Sequence, residues 1–130
     1  MIEPCTLSMF VKNNASLLSA TLILMLMDVV TGLLKAFYTK SFASSVMRDG
    51  LYHKAGFIMM IALAIICEVF IEGAQLSVQF TIPTCGVVCV YIMLCEFASV
   101  VENLSQINPH LAKLTSKYLV KVPEPNQEEE

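Results

Sequence analysis

Two carboxylic acids stand where the neighbouring sequence offers nothing to solvate them. Asp28 lies within residues 16–34 and Glu96 within residues 82–101, both otherwise almost wholly apolar. A charge near the centre of a bilayer costs about 2.5–3.5 kcal/mol on insertion scales, so such groups face other protein or water. Two such carboxylates can share a proton or a basic partner, or line a water-filled path. On facing helices they can also mimic the paired acids of an intramembrane enzyme.

Their spacing narrows the choice. Asn14, Thr21, Asp28 and Lys35 recur every seven residues, with Gly32 one turn beyond Asp28, and positions seven apart share one helical face. Glu96 sits midway between Cys89 and Asn103 on a second, weaker stripe. The first stripe either lines a pore, or seals a helix contact until triggering, or pairs Asp28 with Lys35 or a nearby base to anchor a bundle. Glu68 and Glu72, one turn apart, read as groups reaching the membrane interface. No nucleophile–base pair, phosphate loop or metal cluster accompanies these residues, so neither an enzyme nor a cofactor is expected. The cysteines, Cys5, Cys67, Cys85, Cys89 and Cys95, form no CxxC pair, and His53 and His110 lie outside the apolar runs. Free thiols packed as small apolar groups are expected.

The elements that must carry these stripes are membrane spans. Of 130 residues, 56% are hydrophobic and 15% charged, against roughly 25% charged in soluble domains, and the mean hydropathy is +0.69. The formal charge of −3 comes from Glu128, Glu129 and Glu130, since eight acids then remain against eight Lys and Arg. No basic patch suited to nucleic acid is present. The pattern predicts an all-α integral membrane protein with one membrane domain, residues 1–122, and three spans at about 16–34, 55–71 and 82–101. Nineteen residues make a rod of roughly 28 Å, close to the hydrocarbon thickness. The first apolar run is too long, and too acidic at Asp28, for a cleaved signal peptide.

Between the first two spans lies a short amphipathic segment with Lys35, Lys40, Arg48, His53 and Lys54, read as a surface stretch broken at Gly50. After the third span, Leu111, Leu114, Tyr118 and Val122 follow helical spacing beside Lys113, Lys117 and Lys121, a basic amphipathic helix over about 109–122. The acidic tail, residues 123–130, is expected to be disordered. Lys40, Arg48, Lys54, Lys113, Lys117 and Lys121 are therefore read as basic anchors on one membrane face. By the positive-inside rule the N-terminus lies outside and the C-terminus in the cytoplasm.

The phrase Asp28-Val29-Val30-Thr31-Gly32-Leu33-Leu34-Lys35-Ala36 continues through Ser44-Ser45, Arg48-Asp49-Gly50-Leu51 and Lys54-Ala55-Gly56. A third apolar segment then leads to Glu102-Asn103-Leu104 and Ile107-Asn108-Pro109. This ordered set, covering about residues 28–121, resembles the phage holins of the toxin-secretion/phage-lysis family. In that family an acid late in the second span is often Asp, where this chain has Glu68 and Glu72. The resemblance implies a protein of the bacterial inner membrane that forms homo-oligomers and opens holes at a programmed time. Host lysis follows as an endolysin, or a toxin, escapes. An antagonist, an antiholin, is a further partner the resemblance allows. Met1 and Met9 offer two starts. Two other functions fit the residues, a small membrane scaffold subunit of a larger complex and a proton-coupled channel using Asp28 and Glu96. A lysin gene next door separates the first reading from both.

Overall fold

A computed structural model describes residues 7–73 and 83–118, all but a few of them helical. Five helices follow in order, α1 (Leu7–Asn13), α2 (Ala15–Thr39), α3 (Ser44–Gly73), α4 (Thr84–Ile107) and α5 (Pro109–Tyr118). Three are long and apolar enough to cross a membrane, Ala15–Thr39, Ser44–Ile71 and Thr84–Ile107. No strand occurs among the described residues, as expected where hydrocarbon leaves backbone groups no partner but their own helix.

Each helix end has a local cause. At the α1–α2 joint the Asn14 backbone N–H donates to the Phe10 carbonyl at 3.1 Å and the Asn14 side-chain amide to the same oxygen at 3.0 Å. Lys40 terminates α2 with a left-handed backbone, φ 54°. The Ser41 N–H then reaches Ala36 and the Lys40 N–H reaches Phe37, the paired closure that satisfies a helix's last carbonyls. Pro109 opens α5 at the position where its missing N–H costs nothing. There the Asn108 side chain caps the His110 N–H at 3.0 Å.

The connection between the first two spans differs from the sequence-based expectation. Residues 35–39 complete α2, residues 40–43 make the turn, and α3 begins at Ser44. The helix passes straight through Gly50, since a helical Gly costs only about 1 kcal/mol relative to Ala. The amphipathic stretch is thus the first three turns of the second membrane helix. The third helix likewise runs past position 101 to Ile107, because hydropathy marks the hydrocarbon and not the helix. Residues 119–130, including the end of the expected C-terminal helix and the acidic tail, lie outside the described residues.

α4 is the central helix. It packs most extensively on α2, less on α3, and carries α5 at its C-terminal end. Its inward residues Cys85, Cys89 and Ile92 are fully buried against Met25 of α2 and Phe57, Ile61 and Ala64 of α3. Leu22, Leu26, Ile58, Leu63, Ile66, Val90 and Leu94 point outward, which suits lipid. α2 and α4 come close at Gly32, where an added Cβ would sit 3.6 Å from the Asn103 amide nitrogen. Gly32→Ala should therefore leave thermal stability in detergent nearly unchanged. Gly32→Leu should force the two helices apart and lower the unfolding temperature by several degrees.

Candidate functional site

One charged residue from each of the three membrane helices lies in a single layer. Asp28 lies eleven residues before the end of α2, Lys54 ten after the start of α3, and Glu96 eleven before the end of α4. At ~1.5 Å per residue each is about 15–17 Å from the same end of the bundle. The helices place their charges at matching depth although the three residues are far apart in sequence.

Lys54 is the centre of this layer. Its Nζ lies 2.6 Å from Glu96 Oε2 and 2.9 Å from Asp28 Oδ2. Lengths near 2.7–2.9 Å are typical of charge-assisted hydrogen bonds. The Lys54 side chain is 12% exposed and those of Asp28 and Glu96 are 19% and 2% exposed. Lys54, read from sequence as an anchor on the membrane face, is instead a tie between three helices. The reason is the early start of α3, which carries position 54 three turns into the helix and turns it toward α2 and α4. Lys54 is the basic group that both Asp28 and Glu96 contact, and Lys35 reaches Asp28 through Asn103.

Asn103 joins the remaining polar groups. Its amide nitrogen donates to Asp28 Oδ1 at 3.0 Å and to Thr31 Oγ1 at 3.4 Å. Its carbonyl accepts from Lys35 Nζ at 3.4 Å. Both oxygens of Asp28 are thus held by donors. Glu96 keeps one oxygen, Oε1, buried with no hydrogen-bond partner among the described residues. Two formal carboxylates face one ammonium directly, and the second ammonium, Lys35, reaches only Asp28, through Asn103.

Other residues of the stripe have separate roles. Thr21 is fully buried and donates to its own helix at the Leu17 carbonyl, 2.9 Å away. Asn14 serves the α1–α2 joint at the opposite end. Gly32 faces the Asn103 amide at a distance where even an added Cβ would make ordinary contact. Lys40, Arg48, Lys113 and Lys117 are exposed at the end of the bundle nearest the charged layer, and Lys121 lies outside the described residues. Asn103 and Thr31 are site members that residue charge does not single out, although Asn103 stands seven residues after Glu96. Glu68, expected at the membrane interface, accepts the backbone N–H of Cys85 through Oε2 at 2.8 Å, placing a carboxylate on the N-terminal turn of α4, where the helix dipole favours it. The placement of the Glu72 side chain lies outside the described residues.

Removing one member of a buried ion pair costs about 3–5 kcal/mol, because its partner is left charged and unsolvated. Lys54→Met should therefore destabilise the folded chain by that amount in detergent unfolding. Adding Asp28→Asn and Glu96→Gln to Lys54→Met should restore much of the loss.

A family model described as the bacteriophage holin family matches residues 5–122. No curated protein and no solved structure gives a significant match. A match over nearly the whole chain, with three membrane-length helices carrying it, shows that the chain belongs to the bacteriophage holin family.

Proposed function

We propose that this holin-type membrane protein oligomerises in the bacterial cytoplasmic membrane and opens holes at a programmed time, letting an endolysin or a toxin escape and the host lyse. The observation that carries the reading is the Lys54 ammonium held between Asp28 and Glu96. The helices turn apolar side chains outward and keep a set of hydrophilic groups facing one another. While the helices are together, the chain suits lipid. When they part, the same groups must find water or another protein, since hydrocarbon offers neither donors nor acceptors. A polar seal of this kind yields an inert state during accumulation and a water-lined state afterwards, the two arrangements a switch requires. The family is not known for enzymatic activity.

The N-terminus lies outside and the C-terminus in the cytoplasm. Supporting this, Lys40, Arg48, Lys113 and Lys117 are exposed at one end of the bundle, and short basic segments stay on the cytoplasmic side. The bilayer and further copies of the chain are its immediate partners, and the endolysin is coupled to it only by passage.

Two measurements test these statements. Induced in a bacterial host with a cytoplasmic endolysin, the chain should give abrupt depolarisation and lysin-dependent lysis. Asp28→Asn, which weakens the seal, should bring the onset forward. Steady growth with well-inserted protein would defeat the reading. A periplasm-dependent reporter enzyme fused after Glu130 should stay inactive, whereas activity would reverse the orientation.

A further inference from the structure

The three spans are not equally tied to one another. α2 and α4 hold each other through Asn103, Asp28, Thr31 and the close approach at Gly32. α3 is joined to that pair by apolar packing and by two polar clamps. Lys54 meets Asp28 and Glu96, and Glu68 meets the Cys85 N–H. Fourteen residues separate the clamps, about 21 Å along the helix. Between them, from Ala55 to Cys67, α3 has no charged or hydrogen-bonding side chain other than the Cys67 thiol. Lipid can therefore solvate most of α3, but it cannot solvate the face that α3 covers.

That face has a defined demand. It needs one ammonium at the level of Asp28 and Glu96 and one acceptor about 21 Å away at the start of α4. α3 of a second copy supplies both at the required spacing. The connector from α2 to α3 is suited to letting go. It is four residues long, 40–43, with Lys40 held at φ 54°, a backbone that costs a non-glycine residue roughly 1–2 kcal/mol. Short hinges under strain favour exchange of an element between copies. Extended, it spans at most about 17 Å from Thr39 to Ser44, against roughly 8–10 Å between packed helices, so α3 can reach an adjacent copy. Ten residues connect α3 to α4.

We propose that copies assemble by exchanging α3, the Lys54 of one chain docking between Asp28 and Glu96 of the next. This rests on the hole-forming reading and gives it a mode of assembly. Every native contact of α3 is remade between chains, so little is lost by the exchange, and the exchanged assembly keeps the polar layer closed until its helices part and holes open. The contact is head-to-tail and so adds copies until a ring closes.

Phe57 of α3 and Tyr91 of α4 report the exchange, since their rings pack edge to face at 6.5 Å between centroids. In a chain with its five cysteines replaced by alanine and its lysis verified, Phe57→Cys and Tyr91→Cys are placed on separate, differently tagged copies and oxidised at lysis onset. Exchange gives a shift from monomer to a mixed covalent dimer that neither variant forms alone. If both cysteines in one chain close only within that chain, and the separate copies give no mixed dimer while lysin-dependent lysis proceeds, exchange is wrong and hole formation stands. Absence of lysis with the unaltered chain would remove the hole-forming reading itself. Should the cysteine-free chain fail to lyse cells, charge reversal in the native chain decides the matter. Lys54→Glu with Glu96→Lys on one chain keeps one ammonium and two carboxylates in the layer. Restored lysis when the two changes sit on separate co-expressed chains supports exchange, and restoration only on a single chain overturns it.

Discussion

An ammonium held several turns inside a membrane helix has to be met by something other than lipid. Lys54 is met by two carboxylates from two other helices, and this requirement sets the arrangement of the bundle. The three charges must lie at one depth, which fixes the register of α2, α3 and α4 along the membrane normal. They must also lie on inward faces, which fixes the rotation of each helix. Apolar packing alone would leave both loosely specified, because one aliphatic surface in lipid resembles another and the hydrophobic effect does not drive helices together there.

Under the proposed function, the same requirement makes the bundle convertible. Polar groups satisfied only by one another keep that arrangement until an alternative satisfies them as well, and water or a second copy can do so. α2 and α4 share a hydrogen-bonded network through Asn103 that does not need α3. α3 contributes the cation at one level and the Glu68 acceptor near the far end. The chain is thus a paired core with a third helix attached at two points, and the weaker attachment is where rearrangement costs least. The single left-handed non-glycine residue among the described residues, Lys40, sits at the hinge of that third helix.

Much of this was legible in the residues themselves. Asp28 and Glu96 stand out because nothing nearby in sequence can solvate them, and three apolar runs of membrane length require three spans. The partner of those acids was harder to find. Lys54 follows Arg48 and His53 in a charged stretch, so it resembles a membrane-face anchor until the helix is seen to begin at Ser44 and run through Gly50. Gly50 offers no sequence signal that separates a tolerated helical glycine from a break. The contact of Glu68 is hidden for a different reason. Its partner is a backbone N–H, which leaves no trace in residue identity. Asn103 fell on the correct seven-residue spacing but is uncharged, and its role emerges only when α2 and α4 are brought together at Gly32.

The account's central claim is that the polar layer is closed to water while the protein accumulates and open to it when holes form. Thr31, 7% exposed and bonded within that layer, is a direct probe. Thr31→Cys in a cysteine-free chain would be treated with a small, membrane-impermeant, water-requiring thiol reagent before triggering and again at the onset of depolarisation. The account requires protection in the first sample and rapid labelling in the second. Labelling that is equally fast before triggering, or that remains absent through lysis, would contradict it.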